Sequence, residues 1–302
     1  MNPVEIKNLK KNYGSVQAVR DVSFELRPAE ILGLIGPDGA GKTTVIRSLV
    51  SLIMPDEGQI VFKGKDVLQN PAFVRHQIGY MPQRFSLYQD LTVEENLSFF
   101  GDLFQVPSDE QRRRKEKLYA FSRLGPFKNR RAGALSGGMK QKLALSCMLI
   151  HQPDVLVLDE PTFGVDPVSR SEFWEILRHE AQGGTSILIT TAYMDEAHLC
   201  DRVGLMYEGQ IMALDTPDNL LQNASEAIYL IKALHPHVLF EQLNASEFFG
   251  DVQLFGDGIH LRDKRNMGTK GIKGYLDKQG IPFDDIQPIQ ATLEDLFLKL
   301  MH

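Results

Sequence analysis

Gly36-Pro37-Asp38-Gly39-Ala40-Gly41-Lys42-Thr43-Thr44 decides the fold. It follows the apolar run Ile31–Ile35 and precedes Val45–Val50, which reads as strand, glycine-rich turn and helix. The spacing Gly-x4-Gly-Lys-Thr is that of a phosphate-binding loop. Glycine adopts positive-φ conformations that other residues resist. Successive N–H groups then converge on one point at a helix N-terminus and form an anion nest. Lys42 adds a full positive charge for β- and γ-phosphates, and the Thr43 hydroxyl is placed to ligate Mg²⁺. Asp38 is an acid inside that nest, so its carboxylate must point away from the phosphates.

A second stretch carries the complementary chemistry. Val155-Leu156-Val157-Leu158 reads as a strand buried on both faces of a parallel sheet, and it ends in Asp159-Glu160-Pro161. Ligands gather at the carboxyl ends of such strands. Downstream of a phosphate loop, the first acid, Asp159, holds Mg²⁺, and Glu160 is placed to orient or deprotonate a water aimed at the γ-phosphate. Between these stretches lies Leu135-Ser136-Gly137-Gly138-Met139-Lys140-Gln141, ahead of an apolar helix. Ser136 is a good N-cap, and the two glycines bare the N–H groups of the helix start, making a second anion site.

Bulk properties narrow the class. The 302 residues suffice for one large or two modest domains, and a net charge of −6 argues against coating nucleic acid. Cys147 and Cys200 read as small buried residues in a reducing compartment, not as a disulfide or metal pair. Met1–Glu5 lacks the pattern of a secretory signal, and no apolar run is long enough to span a bilayer.

Along the chain, residues 4–35 alternate in two or three half-buried strands. Tyr13, in the polar turn Lys10–Gly14, is either a stacking platform for a purine ring or an ordinary surface tyrosine. Ile78–Gln83 reads as a buried strand ending in a Pro-Gln step. Residues 92–125 read as helical throughout, with Gln111–Lys117 as a solvated basic face. Phe163–Pro167 is a loop before a helix at about 168–182. Ser186–Thr191 is another buried strand, Ala192–Ala197 opens a helix, and residues 203–213 form a hairpin across Glu208-Gly209. Strands separated by helices predict an α/β fold with a mainly parallel sheet. The character changes after a linker helix at Thr216–Asp218, and residues 221–302 read as a small α+β module without a catalytic motif.

The combination resembles the nucleotide-binding domain of ATP-binding-cassette (ABC) transporter proteins over about residues 3–220. The phosphate loop indicates only a nucleoside triphosphatase. The Ser-Gly-Gly element at 135–141, lying between Gln83 and Asp159-Glu160, narrows it to this family. Gly36–Thr44, Ser136–Lys142 and Phe163–Pro167 are similar to the bacterial ABC-2 type drug-exporter branch, which includes daunorubicin-resistance-like proteins.

The resemblance implies an ABC cassette at 1–220: a central mainly parallel sheet, an N-terminal antiparallel β-subdomain and a helical subdomain at about 84–150. The accessory module at 221–302 would serve dimerisation or regulation. It further implies that Tyr13 stacks on adenine, and that Gly36, Pro37, Asp38, Gly39, Ala40, Gly41, Lys42, Thr43 and Thr44 hold the triphosphate. Thr43, Gln83 and Asp159 would serve Mg²⁺, with Glu160, Gln83 and Lys42 catalytic. Ser136, Gly137 and Gly138 would close over the γ-phosphate of ATP bound to a second cassette, and Asp166 would lie at that interface. One ATP cannot easily use both anion sites of one domain, which favours a head-to-tail pair. The implied partners are a second cassette and an integral membrane permease, with no nucleic acid, and the implied place is the cytoplasmic face of the inner membrane. Phe85, Leu87 and Tyr88 are either an apolar docking patch for that permease or core residues.

One position departs from the family. After the Ile187–Thr191 strand the family usually has a histidine contacting the γ-phosphate; here stands Ala192. A methyl group can neither donate a hydrogen bond nor stabilise charge, and losing one such donor typically costs about 10²–10³ in rate. His198, about 9 Å along a helix, is a poor stand-in. The chain either pairs with a histidine-bearing partner, works as a slow ATPase, or carries an introduced change that traps ATP. The other function classes are a regulatory nucleotide binder and a soluble ABC protein acting on ribosomes or DNA. The latter usually has two cassettes in one chain or a long coiled-coil insertion, and this sequence has neither.

Overall fold

Two kinds of strand organise the structure, a computed structural model that describes residues 1–84, 87–222, 227–245, 249, 251–256 and 258–301. Phe85 and Asp257 lie outside the described residues. The first kind alternates. β1 (Val4–Tyr13) and β2 (Val16–Leu26) pair antiparallel and turn over Gly14-Ser15, with Gly14 at φ +59°. Tyr13 is therefore the last residue of β1, opposite Val16, and not part of a free polar turn. A register shift after Ile6, with Asn8 at φ +49°, lets Val4, Ile6 and Leu9 all face the core despite the odd step between Ile6 and Leu9.

The second kind is apolar on both faces. β3 (Ile31–Ile35) is buried at every position and leads through the phosphate loop into α1 (Lys42–Leu49). β4 (Glu57–Phe62), β5 (Lys65–Asp66), α2 (Pro71–Gln77) and β6 (Ile78–Met81) follow. Three helices come next: α3 (Val93–Leu103), α4 (Ser108–Ser122) and α5 (Gly137–Leu149). Then come β7 (Val155–Asp159), α6 (Pro167–Gln182), β8 (Ser186–Thr191), β9 (Arg202–Tyr207) and β10 (Gln210–Asp215). β7 and β8 are also buried throughout, because helices cover both faces. α1 packs Val45, Ile46 and Leu49 with Leu32, Leu34, Val155, Val157 and Leu188 on one face, and α6 lies against β3 and β8.

The strand order is β5-β4-β1-β2-β10-β9-β3-β8-β7-β6. From β9 to β6 every pair is parallel; from β5 to β2 every pair is antiparallel. β10 joins the two parts: it pairs antiparallel with β9 and meets β2 at one residue pair, Gln210↔Asp21. This is the expected α/β phosphate-loop architecture.

Two local expectations are corrected. Residues 92–125 are not one helix. The chain breaks after Leu103, with Gln105 at φ +56° and Pro107 unable to continue the ladder, and α4 then starts at Ser108. Residues after Ala192 form a 3-10 turn, Met194–Leu199, and not an α-helix.

The chain divides into two compact units, Met1–Pro217 and Asp218–His302, where the sequence reading divides at 220. α7 (Pro217–Gln222) leads into the second unit. That unit contains β11 (Ile228–Lys232), α8 (Pro236–Ala245), β12 (Val252–Phe255), β13 (Gly258–Arg262), α9 (Gly268–Gln279), β14 (Asp285–Ile289) and α10 (Leu293–Met301). Its sheet runs β12-β13-β11-β14, with Pro288 on the edge strand β14. One face packs Tyr229, Ile231, Ile259 and Leu261 with Leu239, Leu243, Ile272 and Leu276. From β13, His260 and Arg262 reach α10 at Asp295.

Candidate functional site

The carboxyl ends of β3, β7 and β8 lie side by side, with Ile35 opposite Thr191 and Asp159 opposite Thr190. The phosphate loop leaves β3 here. Two of its glycines are required by close approach. A Cβ on Gly36 would sit 2.0 Å from the Met206 carbonyl, and one on Gly41, at φ +101°, 2.2 Å from the Ala18 carbonyl. The loop is thus wedged between β2 and the β9–β10 hairpin, whose Gly209 N–H donates to the Ala40 carbonyl at 3.0 Å.

Lys42 is 3% exposed. Its Nζ donates to the carbonyls of Gly36 (2.7 Å) and Pro37 (3.0 Å) and lies 3.3 Å from Glu160 Oε1. Gln83 Nε2 donates to the other Glu160 oxygen at 2.8 Å. The Glu160 backbone is left-handed, φ +49°, and its N–H meets both the carbonyl and the hydroxyl of Thr190 at 3.1 Å. Asp159 is fully buried. Its Oδ1 accepts from Thr43 Oγ1 (3.0 Å) and Thr190 Oγ1 (2.8 Å). Its Oδ2 is buried with no hydrogen-bond partner. A buried anionic oxygen left unpaired is costly, so this atom is the acceptor a cation would take. Carboxylate and hydroxyl oxygens suit Mg²⁺. Among the described residues no cluster of three or more His, Cys, Asp or Glu makes a free-standing metal site. A cation at Asp159 would therefore share its ligands with a bound phosphate.

Lys42, Thr43, Gln83 and Glu160 open on a cavity of about 680 Å³ that Tyr13 and the rest of Asp38–Thr44 also line. This is the size of a small-molecule site. Tyr13 stands half-exposed at its edge, with Lys11 Nζ 5.7 Å from the ring centroid. Asp38 is exposed on the same rim. Ser136, Gly137 and Gly138 are not among the lining residues; they start α5 elsewhere on the unit. Ser136 caps α5 by accepting from Met139 N–H at 3.3 Å, and Gly137 is exposed. Gly138 has no room for a Cβ, which would sit 2.2 Å from Ser169 Oγ on α6. Asp166 caps α6, and the Ser169 N–H it accepts holds its carboxyl below the usual range. Ala192 is exposed.

The sequence reading missed Thr190, which ties Asp159 to the Glu160 backbone. Its only signal is its position one residue before the end of the strand that pairs with β7. Val16, Ala18, Arg20 and Glu208 also line the cavity, and no local pattern marks them.

Residues 19–163 match the ABC transporter family model. The Burkholderia orbicola Nod factor export ATP-binding protein I is 36% identical over 99% of this chain and 96% of its own length. The chain belongs to the ABC transporter ATP-binding family. This cassette is also 37% identical, over 99% of its length, to the "Probable multidrug ABC transporter ATP-binding protein YbhF" of Escherichia coli, but it spans only about half, 52%, of that relative. A solved structure described as the ATP-binding subunit of an ABC transporter covers 73% of the cassette chain and 92% of its own, with TM-score 0.67 and 29% identity.

Proposed function

We propose that the chain is the ATP-binding subunit of an ABC-2 type exporter for drugs or other hydrophobic compounds, and that it hydrolyses ATP at a weakened site. The observation that carries this is the cluster of buried Lys42, Asp159 and Glu160 with the more accessible Thr43 and Gln83 at the carboxyl ends of parallel strands. The N–H groups of the loop from Gly39 to Thr44 that face the cavity bind the phosphates, and Tyr13 at the far edge of the same cavity stacks on adenine. Lys42 exchanges the Gly36 and Pro37 carbonyls and Glu160 for phosphate oxygens. That exchange frees Glu160 to take the proton of the attacking water, which Gln83 helps orient. Thr43, Asp159 and Gln83 would hold Mg²⁺, which when bound would supply neutralisation of phosphate charge.

Ser136–Gly138 lie outside the cavity of their own chain, which supports a head-to-tail pair in which they and Asp166 complete a second cassette's site. An apolar groove of about 480 Å³, lined by Leu52, Tyr80, Tyr88, Phe99, Leu103 and Phe104, suits a segment of a membrane permease. Tyr88, of the suspected docking patch, is 48% exposed there. Among the described residues no helix is long and apolar enough to cross a membrane, so a permease partner would hold the chain on the cytoplasmic face. The second unit serves dimerisation or regulation.

The exposed methyl of Ala192 supports slow turnover, and equally a second reading, a regulatory nucleotide binder. ATP turnover of the purified chain separates them. Slow turnover that rises about 10²-fold or more in Ala192→His and vanishes in Glu160→Gln, with binding retained, is expected. High turnover unmoved by the histidine overturns the weak site; no turnover in either form favours the regulator.

A further inference from the structure

Beyond the nucleotide cluster, two of the contacts that join α5 and α6 lie one turn apart. The first is Gly138 against Ser169, whose side chain leaves no room for a Cβ on the glycine. The second is an ion pair. Lys142 Nζ donates to Glu172 Oε2 at 2.6 Å, with the lysine side chain 9% and the glutamate 21% exposed. Gly138 to Lys142 is four residues on α5, and Ser169 to Glu172 is three on α6, so both contacts lie on facing stripes. The other Glu172 oxygen accepts from Arg123, the left-handed residue that ends α4 and is 67% exposed.

The geometry points to Glu172, through Lys142, as a positioning residue. It fixes the Ser136–Gly138 helix start relative to Asp166 at the start of α6, so that the two reach a facing cassette as one rigid surface. Gly138 makes the contact close and Lys142–Glu172 makes it directional. Without the pair, the directional tie between α5 and α6 is lost, and the two helix starts can shift relative to one another. A misplacement of about 1 Å can cost on the order of 10²-fold in rate. Glu172 touches no reacting atom, and this inference rests on the head-to-tail reading above.

The test uses the full chain carrying Glu160→Gln, so that ATP is not consumed, and measures MgATP-driven dimerisation by sedimentation. ATP affinity is measured separately at concentrations where the chain is monomeric. Glu172→Gln is expected to weaken dimerisation tenfold or more while monomer affinity stays within twofold. Lys142→Arg, which keeps the charge, and Arg123→Ala, which removes only the exposed contact, are expected to stay near the parent. Unchanged dimerisation in Glu172→Gln, or monomer affinity falling in step, overturns the proposal alone. A parent that never dimerises with MgATP removes the head-to-tail reading and this proposal with it.

Discussion

Two helix starts in the first unit offer the same backbone chemistry and use it in opposite ways. At α1, the nest is wedged between β2 and the β9–β10 hairpin, and Lys42, Asp159 and Glu160 stand around it. At α5, Ser136 and Gly137 are exposed, and a Cβ on Gly137 would meet nothing within 4 Å. Bare N–H groups attract anions in both places. Enclosure and full charges make the first a socket, whereas exposure makes the second a surface to be offered. Neither the glycine count nor the helix dipole separates them; their neighbours in space do.

The sharpest way to break this contrast is to add one methyl group to each. Gly36→Ala drives a Cβ into the Met206 carbonyl at 2.0 Å, and backbone cannot step aside. ATP affinity measured by titration calorimetry is expected to fall by about 10²-fold or more. Gly137→Ala is expected to leave the same titration unchanged. Equal losses at both positions would mean that the second start also lines the nucleotide cavity.

A smaller effect sharpens the contrast from the far end of α5. His151, just past that helix, stacks on Phe104 with ring centroids 3.7 Å apart. Burial, with Arg114 and His76 nearby, pushes its imidazole down to about 4. Between pH 6.5 and about 4 the unfolded chain therefore binds a proton that the folded chain refuses, and stability falls as pH falls. The loss is roughly 1–3 kcal/mol. His151→Leu is expected to flatten this part of the slope in chemical unfolding, leaving only the carboxylate contribution. An unaltered slope would remove His151 as its source.

The smallest effect is at the cap itself. Ser136→Ala is expected to cost about 1 kcal/mol of stability, typical of an N-cap. Monomer ATP affinity is expected to hold, since the serine is outside the cavity. A parallel fall in affinity would merge the two starts that the structure separates.

Much of this was legible in sequence because it is written in local spacing. The phosphate loop, the Asp159-Glu160 strand end and the Ser136 cap each occupy a few consecutive residues, and the hairpin at Glu208-Gly209 is marked by its turn. The unbroken runs at β3, β7 and β8 announced a sheet covered on both faces. What stayed hidden depends on which strands lie side by side. Thr190 matters only because β8 runs in register with β7. Ser169 matters only because α6 crosses α5 at Gly138. The break between α3 and α4 was missed because charged and apolar residues continue at helical spacing through it. Pro107 marks the stop, yet a proline is also tolerated at a helix start, so its presence alone does not decide.

Pro288 has a consequence for how the second unit behaves when concentrated. It lies on an outermost strand, where a row of free N–H and C=O groups would otherwise recruit a stranger's chain. A residue with no N–H leaves a gap in that row, so an incoming segment cannot zip along it. On that flank the sheet is blunted against fibril growth, and solubility is protected by one ring at one position.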